Sequence, residues 1–315
     1  MSIIGVDVGG THIKTGIVQD DLKVRFRDER PTPAAAQDIV NAVYEMVNKA
    51  WRRAPGAAVG ISFAGTWDKE GCVTANQLRL KKAPVRQMLR DAFGRPVPVE
   101  NDAVCALMAE HRYGALKGCE TGILLTLGTG IGGGVIAHGQ PLRGHQGLHG
   151  ELGHMITHPG GHPCGCGQKG CWEQYAAARA LGLLAAPLTT RELVDRVRKG
   201  ERSDVWQQYI CEVTVGIQSL MMIFMPEVIA IGGGLSNAGS IVVDTIREAV
   251  EKTSAYRTYC PFTRVVPASF LNDAGIIGAG PPVDADMRHV LDMHASMSPD
   301  AMNALSAELR RLLAE

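Results

Sequence analysis

The first thirty residues alternate short apolar runs with polar turns. The run over residues 3–8 is rich in β-branched side chains and stops at Gly9-Gly10, which predicts a buried strand that ends in a turn. The pattern continues over residues 12–18 and 24–30, and prolines at positions 31 and 33 end it. The chain is therefore predicted to begin with three strands joined by two turns.

Further along, apolar residues recur at a helical period in some segments and form short continuous runs in others. Residues 37–53 carry five apolar side chains on one face, which is typical of an amphipathic helix. Other helices are predicted over residues 85–93, 102–114 and 241–251, and the chain is predicted to be helical after the cysteine cluster near residue 170, through about residues 215–224. Strands are predicted over residues 57–63, 97–99, 122–127, 132–137, 228–231 and 265–267. Strands that alternate with helices indicate an α/β fold.

Length, charge balance and hydropathy limit the classes of protein to which this chain can belong. A chain of 315 residues is long enough for two domains. It has 32 Lys and Arg against 32 Asp and Glu, and this balance argues against nucleic-acid or membrane-surface binding, which would normally show a basic excess. No apolar run reaches the roughly 20 residues of a membrane span, and Asp7 interrupts the N-terminal run, so we expect no signal peptide.

Eight cysteines in a chain of this length do not form a dense disulfide framework. Three of them cluster near residue 170, and the other five are scattered, which predicts reduced and mostly buried thiols: Cys72, Cys105, Cys119, Cys211 and Cys260. Reduced thiols and the lack of a signal peptide lead us to expect a cytoplasmic protein.

The clustered cysteines and a nearby histidine have the spacing of a metal site. His154, Cys164, Cys166 and Cys171 offer one nitrogen and three sulfur ligands, and glycines between the cysteines let the backbone fold around one ion. Structural zinc takes four such ligands in a tetrahedron. The alternative is four buried side chains without a metal, and the spacing of the set favours zinc.

Three glycine-rich turns follow predicted strands. Glycines let backbone N–H groups approach phosphate oxygens, and a threonine beside them adds a hydroxyl donor. The turns are Gly9-Gly10-Thr11, Gly128-Thr129-Gly130 and Gly232-Gly233-Gly234. Lys14 is a candidate phosphate-binding cation, and the carboxylate of Asp7, at the end of the first strand, could hold magnesium through water. The alternatives are a plain hairpin turn, a flexible hairpin and a simple strand-to-helix connection.

The tripeptide Glu100-Asn101-Asp102 follows a predicted strand and opens a helix. A helix N-terminus favours the ionised form of an aspartate, which is the form that accepts a proton from a hydroxyl. As a bare pattern, the interpretation of Asn101 or Asp102 as a helix N-cap is favoured.

Taken together, these motifs resemble those of the ROK family (repressors, open reading frames, kinases). The resemblance runs from Ile3 to about Gly280 and rests on the first two glycine turns and on the loop of residues 150–175. It implies the two-lobed α/β fold of actin and hexokinase, here with a structural zinc loop. It divides the chain into an N-terminal lobe (residues 1–115), a C-terminal lobe with the zinc loop (residues 116–282) and a helical extension (residues 283–315).

The same resemblance implies site residues. Asp102 matches the family's catalytic base, and the sugar contacts match Asn76, Asn101, Glu151, His154 and Glu173. The ATP contacts match Asp7, Gly9, Gly10, Thr11, Lys14, Thr129, Gly130, Gly233 and Gly234. His154 would bind zinc through one ring nitrogen and a sugar hydroxyl through the other. His145, His149, His158 and His162 are expected to be surface or loop residues.

The resemblance therefore implies a kinase that transfers phosphate from ATP, with Mg²⁺, to the 6-hydroxyl of a hexose. Glu151 in Gly150-Glu-Leu-Gly-His154 and the stretch Cys171-Trp-Glu-Gln-Tyr175 favour glucose. N-acetylglucosamine, N-acetylmannosamine, allose and fructose stay open, because specificity can depend on one or two contacts. The rival class is a non-catalytic, sugar-binding regulator. We expect no DNA-binding domain, since the first glycine motif begins close to residue 1, and the resemblance implies a homodimer.

A last helix is predicted from Ser298, with Pro299 at its first helical position, to residue 313. Pro281 and Pro282 mark the boundary before it.

Overall fold

The computed structural model describes residues 2–145, 150–235 and 239–280. The predicted extension (residues 283–315), its helix and His149 lie outside the described residues, and the lobe boundaries stay a prediction. Residues 2–280 form one compact unit. None of the described helices is both long enough and apolar enough to cross a lipid bilayer.

The first sheet has five strands in the order β3-β2-β1-β4-β8. The strands are β1 Ile3–Val8, β2 His12–Val18, β3 Val24–Pro31, β4 Ala58–Phe63 and β8 Val99–Asn101. Strand β1 pairs antiparallel with β2 and parallel with β4, which in turn pairs parallel with β8. Asp7 lies opposite Lys14 on one side and Ser62 on the other. This register brings the polar end of β1 between a cation and a hydroxyl.

The second sheet repeats this topology in the order β11-β10-β9-β12-β13. Its strands are β9 Gly122–Leu127, β10 Ile131–Ala137, β11 Gln140–Pro141, β12 Val228–Gly232 and β13 Arg264–Pro267. As in the first sheet, the first strand pairs antiparallel with its hairpin partner and parallel with the next strand of the sheet. Each sheet thus has a glycine turn at the tip of its first hairpin.

A third, three-stranded sheet lies between β4 and β8 in the chain. It consists of β5 Thr66–Trp67, β6 Val73–Ala75 and β7 Leu80–Ala83. A 3-10 turn over Asn76–Leu78 joins the last two strands. The sequence patterns did not predict this sheet, because strands of two to four residues are too short to show a period.

Ten helices cover the sheets within the described part of the chain. They are α1 Ala36–Trp51, α2 Val85–Phe93, α3 Asp102–Tyr113, α4 Glu173–Ala176, α5 Ala178–Ala185, α6 Thr190–Arg198, α7 Asp204–Phe224, α8 Ser240–Glu251, α9 Ser254–Tyr259 and α10 Ala274–Ala279. The apolar face predicted for the first of them is fully buried.

Helix α10 packs directly on the backbone of the first sheet. A Cβ atom at Gly60 of β4 would overlap the carbonyl oxygen of Ala279, and one at Gly5 of β1 would overlap that of Ile276. The same helix packs against α3, where Gly278 touches the backbone of Cys105. The last described segment therefore fixes α3, the helix that begins at Asp102, against the first sheet.

Most predicted elements are confirmed within a few residues, and one strand is misplaced. The strand predicted over residues 97–99 is observed as Val99–Asn101. Pro98 has no N–H for the ladder and contributes only its carbonyl, which accepts from the Ile61 N–H at 2.9 Å. Regular pairing therefore starts one residue after the proline. Helix α10, Ala274–Ala279, was not among the predicted helices.

Replacing Gly60 by alanine tests the contact between α10 and the first sheet. Because the new methyl would meet a backbone carbonyl that cannot rotate away, we expect Gly60→Ala to lower the free energy of unfolding by about 1–3 kcal/mol or more. Thermal melting monitored by circular dichroism measures the change. Gly182→Ala, in the middle of α5 with only the Thr190 hydroxyl nearby at 3.3 Å, is the matched control and should not lower the melting temperature. Equal melting of Gly60→Ala and wild type would contradict this packing.

Candidate active site

Asp102 is the first residue of α3, at the point where the first sheet ends. The side chain of Asn101 caps the helix, since its Oδ1 accepts from the N–H groups of Ala103 at 2.9 Å and Val104 at 3.2 Å. Its Nδ2 donates to the carbonyl of Gly65 at 2.9 Å. The cap interpretation of Asn101 is thus correct, and one amide N–H is left to meet a ligand.

The Asp102 side chain is exposed in the region between the β1–β2 turn, the β9–β10 turn and the start of α3, which we call the recess. Protein atoms nonetheless lie close enough to desolvate it. Desolvation raises the pKa of Asp102 above the ordinary 3.8, and hydrogen bonds from the backbone and from Asn101 offset part of this rise. The group is therefore a stronger base than an ordinary aspartate, as proton abstraction from a hydroxyl requires.

Asp7 lies close enough to Asp102 for their charges to interact. Burial is the main reason why the pKa of Asp7 is raised, the negative charge of Asp102 adds to it, and Ser62 and Lys14 lower it. The Ser62 hydroxyl donates to Asp7 Oδ1 at 2.7 Å. Two neighbouring carboxylates that repel each other form a site that favours a cation.

The first glycine turn is a tight hairpin beside these carboxylates. The Gly9 N–H donates to the His12 carbonyl at 3.0 Å, and the Thr32 hydroxyl donates to the Gly9 carbonyl at 2.7 Å. A Cβ at Gly10 would lie 2.7 Å from the side-chain oxygen of Gln77. Thr11 has an exposed side chain. The turn is therefore positioned by its neighbours, and its outer face stays accessible.

That contact with Gln77 also locates Asn76. Asn76 begins the 3-10 turn between β6 and β7 and has an exposed side chain. Because Gln77 touches the first glycine turn, the small third sheet brings Asn76 to the same side of the recess as Gly10. The expected sugar contact thus lies next to an expected phosphate contact.

The second glycine turn is held by the segment that follows the cysteines. The Gly128 N–H donates to the Gly130 carbonyl at 3.0 Å, and the Ala178 N–H donates to the Gly128 carbonyl at 2.8 Å. Glu173 Oε2 accepts from the Ile131 N–H at 3.0 Å. A Cβ at Gly130 would overlap that carboxylate and would have to displace it from the Ile131 N–H.

Ile131 also anchors the residues expected on the sugar side. The 3-10 turn Leu152–His154 packs so closely on β10 that a Cβ at Gly153 would overlap the Ile131 carbonyl. Glu151 directly precedes this turn and is exposed. Glu151, His154 and Glu173 are therefore gathered around one residue of the second glycine hairpin.

The third glycine turn lies against the second sheet. Gly233 has φ +88°, and a Cβ there would lie 2.6 Å from backbone atoms of Leu127, so the glycine is required by the fold itself. A Cβ at Gly234 would meet no atom of the described residues within 4 Å. The space above Gly234 can therefore accept a ligand.

The four predicted metal ligands converge. The ligand atoms of His154, Cys164, Cys166 and Cys171 all lie within 4.8 Å of one another. Cys164 Sγ is 3.5 Å from His154 Nδ1, and Cys166 Sγ is 3.6 Å from Cys171 Sγ. Tetrahedral zinc with ordinary bond lengths requires edges of about 3.6–3.8 Å between ligand atoms. The donor set and its spacing therefore fit one zinc ion, bound to Nδ1 of the histidine, and leave Nε2 for another partner.

The metal loop is braced by aromatic and ionic contacts that the sequence patterns did not reveal. His158 stacks on Tyr175 with ring centroids 3.8 Å apart, and His162 stacks on the same ring at 5.0 Å. His158 Nε2 lies 3.5 Å from Glu212 of α7. These two histidines lie in the loop, as expected, and their stacking on Tyr175 also packs the loop together. The Trp172 indole anchors it to α7 through the Glu212 carbonyl at 2.8 Å.

An ion pair next to Asp102 was also missed. Arg143, after β11, donates to Glu100 Oε2 at 2.8 Å. It joins a loop of the second sheet to the strand that leads into Asp102. No local pattern predicts such a pair, because its members are 43 residues apart.

The remaining cysteines are unpaired, as predicted. Cys105, Cys119 and Cys260 are buried, Cys72 is partly buried and Cys211 is exposed. Burial is the main cause that raises the pKa of the Cys105 thiol far above its ordinary value. The three buried thiols therefore act as small packing side chains.

Comparison with known proteins identifies the family. The family model described as the ROK family matches residues 3–281. A glucokinase of Streptomyces coelicolor is 34% identical over 302 residues, with 88% of this chain and 95% of that protein covered. An N-acetyl-D-glucosamine kinase of Escherichia coli is 32% identical over 259 residues, covering 75% and 85% respectively.

A solved structure of a ROK family glucokinase from Streptomyces griseus, in complex with glucose and AMPPNP, has the same fold. It is 32% identical, superposes with a TM-score of 0.77, and the match covers 89% of this chain and 98% of that one. The two-lobed hexokinase-like fold expected from the sequence motifs is thereby confirmed.

The raised pKa of Asp102 predicts a pH-dependent effect on stability. The folded chain holds this proton more tightly than the unfolded chain, so the stability contribution of Asp102 is largest below its unfolded pKa and is lost as pH rises through its folded pKa. Asn at position 102 cannot ionise, so Asp102→Asn does not lose stability as pH rises. We expect a higher melting temperature than wild type at about pH 7.5 and a gap that closes toward about pH 4.

Asp204→Asn is the matched control, since Asp204 is also the first residue of a helix with a capping residue before it. It should show no comparable gain. Asp102→Asn melting like wild type at both pH values would argue against desolvation of this carboxylate.

Proposed function

This chain belongs to the ROK family, and we propose that it is an ATP-dependent hexose kinase that phosphorylates the 6-hydroxyl, with glucose as substrate. The observation that carries the proposal is the position of Asp102 between the two glycine hairpins. It follows strand β8 of the first sheet, and a Cβ at Gly132 of β10 would lie 3.9 Å from the Ala103 side chain. A base is thus held between two turns suited to phosphate.

In this proposal the two glycine turns bind the phosphates of ATP. Backbone N–H groups and the hydroxyls of Thr11 and Thr129 supply donors, and Lys14 supplies positive charge. The open space above Gly234 accepts the adenosine. Magnesium, held by Asp7 through water, would neutralise phosphate charge when bound.

The sugar would lie among Asn76, Asn101, Glu151, His154 and Glu173. Carboxylates and amides suit sugar hydroxyls, which both donate and accept hydrogen bonds. The 6-hydroxyl oxygen of the sugar attacks the γ-phosphorus while Asp102 accepts the hydroxyl proton. The bond from the γ-phosphorus to the leaving ADP oxygen breaks in the same step. Positioning supplies much of the rate, and the base contributes roughly 10²–10⁴-fold.

Glucose is supported by Glu151 and by the glucokinase relatives. N-acetylglucosamine is the second candidate, because a relative of similar identity is named a kinase for that sugar. N-acetylmannosamine, allose and fructose are less supported. A non-catalytic regulator is disfavoured by the presence of Asp102 and both glycine turns in one recess.

We propose zinc as the structural metal, held by His154, Cys164, Cys166 and Cys171. Its binding would fix the loop that carries Glu151 and Glu173 and would set the histidine tautomer, so that Nε2 faces the sugar. The homodimer and the cytoplasmic location expected above stay predictions, and light scattering on the purified protein would decide the first.

A coupled assay of ADP release tests the reaction. With MgATP we expect turnover on glucose well above that on N-acetylglucosamine, N-acetylmannosamine, allose and fructose. Asp102→Asn should lower kcat/KM by roughly 10²–10⁴-fold, because the base is lost. In the wild type, kcat/KM should fall on the acid side with an apparent pKa above that of an ordinary aspartate.

Asp204→Asn is again the control and should keep wild-type turnover. Full activity of Asp102→Asn would exclude Asp102 as the base. Sugar-induced stabilisation without any turnover on these sugars would favour the regulator.

Metal analysis tests the structural site. We expect about one zinc per purified chain, and Cys166→Ser should lower both the zinc content and the melting temperature. Cys211→Ser, which changes an exposed thiol outside the group, is the matched control and should retain the metal. A wild-type protein without zinc that melts normally would contradict the assignment.

A further inference from the structure

Gln174 lies between the metal group and the second glycine turn. It follows Glu173 in α4, and its Nε2 donates to Cys164 Sγ at 3.3 Å and, weakly, to Glu173 Oε1 at 3.5 Å. Its Oε1 accepts from the Arg179 guanidinium at 2.6 Å. Sequence motifs gave this glutamine no role of its own.

These contacts fix the orientation of the amide. The two N–H bonds of Nε2 point to a thiol sulfur and a carboxylate, both acceptors, while a guanidinium can only donate to Oε1. A flipped amide would place oxygen against two acceptors and N–H groups against a donor. The three polar contacts of this side chain therefore agree with one orientation of the amide.

From Gln174 the contacts continue to the glycine turn. Glu173 Oε1 accepts the weak hydrogen bond from the Gln174 amide. Glu173 Oε2 accepts from the Ile131 N–H at 3.0 Å and fills the space beside Gly130. The Gly128 carbonyl is held by Ala178, one residue before Arg179. A displacement at Cys164 would therefore reach the turn through two side chains.

We propose that Gln174 is a positioning residue that couples the metal loop to the nucleotide-binding turn through Glu173. Its N–H bond stabilises the anionic sulfur of a bound Cys164, as partners outside the ligand set do in metal sites. Its second N–H steadies the carboxylate that shapes the turn. The nucleotide half of this inference rests on the proposed kinase function, whereas the metal half does not.

Two variants separate hydrogen bonding from space filling. Gln174→Ala removes both donors, and Gln174→Glu keeps the shape but places an anion against Cys164 and Glu173. A donor role predicts that Gln174→Glu is at least as damaging as Gln174→Ala, whereas a space-filling role predicts the reverse order. Gln208→Glu, on the exposed face of α7, is the matched control for the added charge.

The full-length zinc-loaded chain would be used for two measurements without turnover. Zinc release into excess colorimetric chelator should be about tenfold faster or more in both Gln174 variants. Affinity for AMPPNP, measured by calorimetry, should fall by about fivefold or more in the same variants. Gln208→Glu should match wild type in both.

Each outcome decides a part of the inference. Zinc release and AMPPNP affinity both within twofold of wild type would overturn it, and faster zinc release with unchanged AMPPNP affinity would overturn the coupling. Milder effects of Gln174→Glu than of Gln174→Ala would show that the residue only fills space. A wild type that holds zinc but binds no AMPPNP would instead overturn the proposed function, while the release rates would still test the metal half.

Discussion

The hydrogen bond from the Ile131 N–H to Glu173 is the contact on which the arrangement of the recess depends. It joins the second glycine hairpin to the segment directly after Cys171, at 3.0 Å. The opposite side of Ile131 supports the turn that leads from Glu151 to His154. The second glycine turn, Glu173 and the turn Leu152–His154 thus meet at one backbone unit, and none of them can move without disturbing the others.

The metal group explains why this region can hold its shape. Residues 150–172 form no long helix or strand among those described, and their regular structure is one 3-10 turn and two isolated bridges. Its backbone hydrogen bonds, such as those from Thr157 and His158 to the Gly170 carbonyl, are separate turn and bridge contacts rather than a continuous helix or ladder. Four ligands that meet at one point, with stacked rings and a buried tryptophan behind them, replace the missing regular structure.

The first sheet constrains the site in a different way, because its regular strands hold two carboxylates close together. It brings Asp7 and Asp102 together where burial raises both pKa values, and the charge of Asp102 adds to the rise at Asp7. Two such carboxylates are costly to keep ionised together, and a cation or a proton bound there lowers that cost. Helix α10, packed on Gly5 and Gly60, supplies the rigid support that keeps the two carboxylates in place.

The sequence alone determined the features that have a local signature. The strand–turn–strand start, the glycine turns, the capped helix at Asn101 and the spacing of the four metal ligands are short-range patterns, and the structure contains each of them. Only the tertiary structure decided which of these patterns meet. The Glu173 contact spans 42 residues and the Arg143–Glu100 pair 43, and the role of α10 depends on strands more than 200 residues earlier in the chain. Contacts of this kind leave no periodic trace in the sequence, because they are set by the packing of whole sheets and helices.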